Sequence, residues 1–414
     1  MNRLFKILTV GILAIITAFT CFGCAQTPSG DGETGLFYKK ITDGYMITKY
    51  VSDGKTTSLN IGTELAEISS ELGNGTKLVI NKNAFKGCSD LETLIVPETV
   101  TEIKEGAFAG MIGLKELVVP FIGRTANSDV EYENSSAEDK SVGSARTIAH
   151  FFTGATKYTG GVEVAVNYNA TAESSVPFII PMALRTITIK NSSTEGFSVP
   201  MYAFNGLAKS ITVNFDGKLT AIGEGAFANT NISSFTVPAT VTKIYKNAFA
   251  NTAKLETISF ASATALTEIG EGAFQGSAIK EVVLPANLTK IGGGAFMNSK
   301  LEKITLSAGL TDIGNNAFYK CSELTSVYTD GIASASLTLG VYAFSDCVAL
   351  EYFGVSTSEE ANLIDLAVCK EIGSQAFDKL GEEEEEFKYA NEPSGFTEND
   401  IKNIFGTTKV SKKA

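Results

Sequence analysis

The chain contains a single histidine, His150, and no tryptophan among its 414 residues. One histidine excludes the paired histidine ligands of most zinc sites, and a Ser-His-Asp triad would have to use His150. The Gly-x-Ser-x-Gly turn that presents a serine nucleophile is also absent. We therefore predict a structural or surface role for His150, no enzymatic activity, no cofactor and no bound metal.

Arginine is equally scarce and occurs at only four positions, Arg3, Arg124, Arg146 and Arg185. The chain has 34 Lys and Arg against 46 Asp and Glu, a formal net charge of −12 at pH 7. Proteins that hold nucleic acid neutralise its phosphates with clustered basic side chains. The composition therefore predicts no nucleic-acid partner.

Hydrophobic runs long enough to cross a membrane comfortably are missing as well. The apolar run at residues 7–20 follows two basic residues and is short for a membrane span, which predicts an export signal over residues 1–23. The glycine before Cys24 resembles the lipobox of bacterial lipoproteins, although Cys21 stands where leucine is usual. That resemblance implies lipidation of Cys24; an ordinary secretory signal cleaved nearby is the alternative. Polar residues 24–35 then predict a flexible tether.

What the sequence has in abundance is one dipeptide, Ala-Phe, which occurs ten times after the predicted export signal. Most successive copies lie 22 to 26 residues apart, and a 96-residue gap is close to four such units. A period of about 20–29 residues is typical of leucine-rich-repeat solenoids. The ten phenylalanines are Phe85, Phe108, Phe204, Phe227, Phe249, Phe274, Phe296, Phe318, Phe344 and Phe377.

Each unit also contains a short alternation of apolar residues, as at Val282 and Leu284. A period of two predicts one short strand per unit, and about thirteen stacked units predict a parallel sheet. One phenylalanine per unit predicts a continuous column of rings, with Phe274 and Phe296 as neighbours. The Ile-Gly pair that recurs in the pattern Ile-Gly-x-x-Ala-Phe predicts a tight turn.

The consensus Ala-Phe-x5-Leu-x2-Ile-x-Leu-Pro-x2-Leu-Thr-x-Ile-Gly resembles the BspA-type leucine-rich repeat of bacterial surface proteins. The resemblance covers residues 60–377. It implies a right-handed curved solenoid with a parallel β-sheet on its concave face, exposed at the cell surface. It also implies a role in adhesion or binding.

The remaining segments predict caps and an interruption. Residues 36–60 predict an N-terminal β cap, because β-branched and aromatic residues flank an Asp53-Gly54 turn and favour a hairpin. The solenoid is predicted over residues 61–380, with an irregular insert at 121–200. Residues 381–414 are predicted to form an acidic C-terminal tail or cap.

Three expectations are more local. Within the insert, residues 124–144 predict an excursion, either a disordered loop or a ligand-facing flap. Thr397 is positioned to cap a short helix. Residues 409–414 are expected to be frayed.

Four cysteines follow the export signal: Cys88, Cys321, Cys347 and Cys369. The first three lie three residues after an Ala-Phe phenylalanine, a position held elsewhere by small residues. This equivalence predicts a buried packing role. A disulfide between Cys321 and Cys347 in adjacent units is the alternative.

Candidate ligand-binding residues are those expected to point outward on the strands. Lys303, Thr305, Tyr328 and Tyr352 occupy such positions in three consecutive units. Tyrosines on a rigid sheet offer a large contact area at small entropic loss. Alternatively, the two tyrosines only cover the lengthened units that precede Phe344 and Phe377.

These features predict a non-enzymatic, lipid-anchored binding or adhesion protein on the extracellular face of a bacterial membrane. Its partner would be an extracellular protein or glycan, contacted through the solenoid surface. Two alternatives remain: a structural envelope spacer without a dedicated ligand, and a glycan-active enzyme. The outward strand positions are mostly Ser and Thr, without the facing acidic pair that an enzyme of this kind requires.

Overall fold

The computed structural model describes the chain in seven stretches: residues 34–72, 75–126, 145–154, 160–167, 175–358, 363–381 and 386–413. The predicted export signal, Cys24 and nearly all of the predicted tether lie outside these residues. So do residues 127–144 of the predicted excursion and glutamates 382–385.

The chain winds into a parallel β-solenoid of about 12 turns, which confirms the predicted repeat fold. Three short helices are described, α1 (Ile61–Glu64), α2 (Ala149–Phe152) and α3 (Glu398–Phe405), with 3₁₀ turns at Ala66–Glu71 and Ser356–Ser358. The strands in chain order are β1 (Gly35–Ile41), β2 (Gly44–Val51), β3 (Ser58–Asn60), β4 (Lys77–Ile80), β5 (Thr93–Ile95), β6 (Val100–Ile103), β7 (Glu116–Val119), β8 (Gly161–Asn167), β9 (Ser175–Pro181), β10 (Thr186–Asn191), β11 (Phe197–Val199), β12 (Thr212–Gly217), β13 (Leu219–Ile222), β14 (Ser234–Thr236), β15 (Lys243–Ile244), β16 (Thr257–Ser259), β17 (Glu268–Ile269), β18 (Glu281–Val283), β19 (Lys290–Ile291), β20 (Lys303–Thr305), β21 (Asp312–Ile313), β22 (Ser326–Tyr328), β23 (Leu337–Leu339), β24 (Tyr352–Gly354), β25 (Leu363–Asp365), β26 (Cys369–Ile372), β27 (Glu386–Ala390) and β28 (Lys409–Lys412).

Each regular turn contributes two strands, not the single strand predicted. The first strand joins a front sheet, which consists of the segments β3-β5-β7-β10-β12, β14-β16 and β18-β20-β22-β24-β25-β27-β28. The second joins a back sheet, which consists of β1-β2-β4-β6 and the eight strands from β11 to β26. Many back strands have only two residues, as in β19. That length is too short for an alternating pattern to reveal them in the sequence.

Back-strand residues explain the Thr-x-Ile-Gly part of the repeat. The Thr289 hydroxyl donates to the Thr267 carbonyl oxygen of the preceding turn at 3.1 Å, and Thr311 donates to Thr289 in the same way at 3.1 Å. Gly292 follows the isoleucine of the same repeat pattern, and a Cβ added to it would lie 2.5 Å from the backbone nitrogen of Glu271. The glycine is therefore required because two turns approach closely, and not because the chain turns there.

Residues two positions before and after each Ala-Phe phenylalanine adopt positive φ. Around Phe296 these are Gly294 (φ 61°) and Asn298 (φ 58°), and all ten copies show the same pair of positions. Glycine and asparagine enter this left-handed region at the least cost. This explains why Gly and Asn recur around the dipeptide.

The ten phenylalanine rings are buried and form an aromatic ladder along the solenoid axis, in which the rings from Phe204 to Phe377 are stacked. Phe274 and Phe296 are confirmed as neighbours, with ring centroids 5.2 Å apart and planes 18° from parallel. Two rings outside the repeats extend the ladder, Tyr50 beyond Phe85 and Phe405 beyond Phe377.

The N-terminal hairpin exists, but the predicted turn is wrong. Strand β1 pairs antiparallel with β2, and the chain reverses between Ile41 and Gly44. Strands β2 and β3 belong to different sheets, so Asp53-Gly54 lies in a connection. There the Asp53 carboxylate accepts hydrogen bonds from the backbone N–H groups of Lys55 and Thr56, which lowers its pKa.

The irregular insert is one long connection across the back of the solenoid. Front strands β7 and β10 are neighbours in the sheet and pair in parallel, although residues 121–185 separate them in the sequence. Helix α2 places Phe151 and Phe152 in the core against Phe108. The antiparallel hairpin β8–β9 then leads back to β10.

The C-terminal end is a folded cap, and the expectation of frayed residues 409–414 is wrong for β28. Strands β27 and β28 extend the front sheet in parallel. Thr397 caps α3 as predicted, since its hydroxyl accepts from the Asp400 N–H and the Asp400 carboxylate accepts from the Thr397 N–H. The cap is fastened to the last repeat because the Asp378 carboxylate accepts from both the N–H and the hydroxyl of Thr407, each at 2.7 Å.

Cys88, Cys321 and Cys347 are buried, as the packing interpretation predicts, and all four described cysteines are free thiols. The Cys321 and Cys347 thiols donate to the carbonyl oxygens of Phe296 and Phe318 at 3.0 and 3.1 Å. In other turns the same position holds a hydroxyl, such as that of Thr252, which donates to a phenylalanine carbonyl at 2.7 Å. The thiols thus replace buried hydroxyls.

Candidate functional site

A groove of about 990 Å³ lies on the outward face of the front sheet. We call it the strand-face groove. Its walls are residues 256–261, 280–287 and 302–305, together with Thr264 and Tyr328. A volume of this size lies at the upper end of the range for small-ligand sites.

The groove lies where the front sheet is interrupted. On one side of the interruption the Val237 N–H donates to the backbone carbonyl oxygen of Ser259 at 2.9 Å. On the other side the Leu284 N–H donates to the backbone carbonyl oxygen of Thr305 at 3.0 Å. Between β16 and β18, both fully described, the sheet pairing is absent. The back sheet continues across the same place, because Ile269 pairs with Ile291. The gap is therefore local to the front surface.

The interruption coincides with a change in turn length. The turn that begins at Phe249 has 25 residues up to the next ladder phenylalanine, against 22 for the turn that begins at Phe274. The additional residues lie mainly between the front and back strands, at 260–265. The groove thus opens where a longer turn meets a regular one.

The outward side chains of β18, β20 and β22 form the wall on one side of the gap. Strand register places Glu281 beside Lys303, and Val283 beside Thr305, which in turn lies beside Tyr328. Val283 is 70% exposed, more than any other large apolar side chain described. An exposed valine between polar side chains provides an apolar contact surface at the groove's centre.

Charges of both signs surround this valine. Lys280 and Glu302 form an ion pair of 3.0 Å at the groove's rim. Glu281 and Lys303 are exposed neighbours, and no salt bridge within 4.0 Å joins these two described side chains. Their charged groups are accordingly available to a ligand.

The structure brings three of the four predicted ligand-binding residues together, since Lys303, Thr305 and Tyr328 all line the groove. Tyr352 was expected to be exposed, and this is wrong: its side chain is only 1% exposed. Its hydroxyl donates to the Val355 carbonyl oxygen at 2.7 Å, and its ring lies 6.3 Å from that of Tyr328. In this longer turn the chain just after β24 contacts the Tyr352 side chain.

Sequence reasoning missed Val283 and Glu281 as central groove residues. The signal available was the valine itself, since the equivalent outward positions in the neighbouring turns are Ser259 and Thr305. A large apolar residue on an otherwise hydroxylated face is unusual.

A smaller groove of about 340 Å³ lies at the other interruption of the front sheet, between β12 and β14. Its walls are residues 210–215 and 232–236, with Phe227 and Pro238. Concavities on this face therefore coincide with gaps in strand pairing.

His150 is buried, and its Nε2 lies 2.8 Å from the carbonyl oxygen of Ile103. Burial lowers the pKa of His150 below its usual 6.5. In the part of the chain that the structure describes, three or more His, Cys, Asp or Glu side chains do not come together as metal ligands. Nor is any described helix long and apolar enough to span a bilayer.

Sequence comparison identifies the repeat. The family described as "BspA type Leucine rich repeat region" matches residues 56–138, 178–300 and 243–382, which together are more than half of the chain. The chain belongs to the BspA-type leucine-rich repeat family. A search of curated proteins finds no match to it.

Several solved structures resemble this BspA-type protein. A leucine-rich repeat protein from Bacteroides ovatus is 17% identical, with 92% of this chain and 99% of that chain covered and a TM-score of 0.38. A leucine-rich cell surface protein from Faecalibacterium prausnitzii is 15% identical, with 94% and 96% covered and a TM-score of 0.30. The pneumococcal vaccine antigen PcpA is 16% identical, with 60% and 78% covered and a TM-score of 0.28.

Proposed function

We propose that this BspA-type protein is a lipid-anchored binding protein of the bacterial cell surface, and that the strand-face groove is its ligand site. The observation that carries the proposal is the groove itself. An exposed valine, unpaired charges and a tyrosine converge there on an otherwise hydroxylated sheet face. The ligand would be an extracellular protein or glycan.

Rigid presentation supports a binding role. The groove's walls are short strands whose inward residues, such as Val282 and Ile304, are buried in the continuous core. Side chains fixed on a packed scaffold lose little conformational entropy when a ligand arrives. The site is thus organised before binding.

The anchor is tested separately from the groove. We expect Cys24→Ala to release the protein from the membrane fraction or to leave it unprocessed, because the acyl chains on this residue would supply the attachment. Mass spectrometry of the N-terminal peptide gives an independent measure. Normal membrane retention together with an unmodified Cys24 peptide would contradict the anchor.

The binding role is tested by screening the processed full-length protein against matrix proteins and glycans. Any ligand found is then measured with Val283→Asp, which places a charge at the groove's apolar centre. Val118→Asp is the matched control, because Val118 occupies the equivalent outward position on β7. We expect binding to be lost in the first variant and retained in the second. Retention in both, with the variants folded, would place the site elsewhere or favour a structural spacer.

A further inference from the structure

We propose that the ligand of the strand-face groove is a neutral glycan. This inference rests on the proposed function above and specifies the chemical class of the ligand. Three properties of the groove carry it: the gap in strand pairing, the mixture of charges, and the apolar centre.

The gap is too narrow for a protein strand. Peptides that bind sheet edges do so by adding a strand, which requires about 4.8 Å on each side of the new chain. Here the two turns are held one strand spacing apart, because the rings of Phe249 and Phe274 lie 5.3 Å from each other and β17 pairs with β19 behind them. An extended peptide therefore cannot enter between β16 and β18.

Backbone groups along the gap can still bind small polar groups. The N–H of Phe260 and the carbonyl of Glu256 occupy the positions that, in neighbouring turns, form the inter-strand bonds at Val237, Leu284 and Glu302. A hydroxyl group is both a donor and an acceptor and needs only one atom's width. Sugar hydroxyls satisfy these edge groups where a peptide backbone cannot reach them.

The charges disfavour a polyanionic ligand. Three glutamates, Glu256, Glu281 and Glu302, line the groove with two lysines, Lys280 and Lys303, and the whole chain carries −12. A sulfated or uronic-acid polymer would be repelled by this surface and would need clustered cations that the groove lacks. Neighbouring Glu281 and Lys303 instead provide an acceptor and a donor about one strand spacing apart, which suits adjacent hydroxyls on one sugar ring.

The apolar centre matches the remaining surface of a sugar. A pyranose ring has C–H faces between its hydroxyl edges, and such faces pack against aliphatic and aromatic side chains. Val283 and Tyr328 lie on either side of Thr305 in register on consecutive strands. A sugar placed over Thr305 would contact both.

The experiment titrates the processed full-length protein with neutral oligosaccharides of four to six hexose or N-acetylhexosamine units. Sulfated and uronic-acid oligosaccharides of equal length are measured in parallel. We expect binding of at least one neutral glycan, with little dependence on salt concentration. Preference for the charged oligosaccharides, or a steep loss of binding with salt, would overturn the inference.

Matched variants locate the site. Glu281→Gln should weaken binding of the neutral glycan about tenfold, because the amide oxygen still accepts the hydrogen bond but without the carboxylate charge that strengthens it. Glu116→Gln is the control, since Glu116 occupies the same outward position on β7. Equal affinity for both variants would overturn the inference. Unchanged melting temperatures show that both proteins are folded.

The outcomes separate the inference from the proposed function. If no neutral glycan binds but a protein ligand binds and is lost with Val283→Asp, the groove is a binding site and the glycan assignment is wrong. If neither ligand class depends on groove residues, both the glycan assignment and the proposed site are wrong.

Discussion

The two halves of the aromatic ladder differ in how their rings meet. From Phe204 to Phe405 every neighbouring pair is stacked, with centroids 4.8 to 5.7 Å apart and planes within 24° of parallel. In the N-terminal half, Phe85 and Phe108 meet at 61°, and Phe108 meets Phe151 at 55°. The difference lies at the insert, which offers Phe108 two rings instead of one.

This contrast shows what the repeat contributes beyond hydrophobicity. Phe85 and Phe296 are both fully buried, so each removes the same apolar surface from water. Only where consecutive turns have the same conformation do the rings align. The regular half therefore combines burial with repeated stacking, whereas the N-terminal half combines burial with tilted and edge-to-face ring contacts.

Removing a ring from the regular half should produce the largest effect. We expect Phe296→Ala to lower the free energy of unfolding by about 3–5 kcal/mol, because a buried ring and its packing are lost. Phe85→Ala should cost a similar amount, since its edge-to-face contact with Phe108 is about as favourable as a stacked contact. Urea denaturation measures both. The outward Thr305→Ala should change stability by no more than about 0.5 kcal/mol; equal losses for Phe296 and Thr305 would contradict the register.

A substitution after the back-strand isoleucine tests the close approach of turns. Gly292→Ala should cost about 1–3 kcal/mol, because its Cβ would lie 2.5 Å from the Glu271 backbone nitrogen. In the N-terminal half Lys104 holds the equivalent place after Ile103. Lys104→Ala should therefore be nearly neutral. Thermal unfolding compares the pair, and a neutral Gly292→Ala would show that neighbouring turns move apart readily.

The two end caps give the next smaller effect. Thr397→Ala should cost about 1 kcal/mol, because α3 loses the hydroxyl that accepts from the Asp400 N–H. The loss should appear first as faster amide exchange around Phe405. Thr397→Ser keeps the hydroxyl and serves as the control. At the other end Asn60 caps the four-residue α1 by accepting from Gly62 N–H, and its removal should affect exchange less.

The smallest expected effect concerns pH. Burial lowers the pKa of His150 in the folded protein, so the unfolded chain binds the proton more readily. Stability from this residue is present above the unfolded pKa and is lost as pH falls from about 6.5 toward the folded pKa. His150→Gln should remove that decline. Unfolding curves at pH 7 and pH 5.5 measure it, and an unchanged decline in the variant would show that another group titrates.

Repeated residues made much of the fold predictable. The spacing of Phe274 and Phe296 was sufficient to place them as stacked neighbours, because residues that recur in identical surroundings must occupy equivalent places in a solenoid. Thr397 could be recognised as a cap because its hydroxyl acts within one helical turn. In both cases the relevant interactions are either local or copied from turn to turn.

The candidate site was only partly predictable for the same reason. Lys303, Thr305 and Tyr328 follow the repeat register and were placed outward correctly. Tyr352 follows that register too, yet it is buried, and its hydroxyl donates to the Val355 carbonyl oxygen just after β24 in the longer turn. Residues that lengthen one turn lie outside the repeat consensus, and a repeat pattern contains no information about them.

The sequence by itself determined the repeat length, the inward residues and the stacked rings, since each depends on a pattern of apolar residues that every turn copies. Only the tertiary structure decided where the front sheet breaks. A longer turn alone does not interrupt the sheet, because β22 in the 26-residue turn that begins at Phe318 still pairs with β24. The break between β16 and β18 depends on how two particular turns pack against each other, and it places Val283 beside a gap.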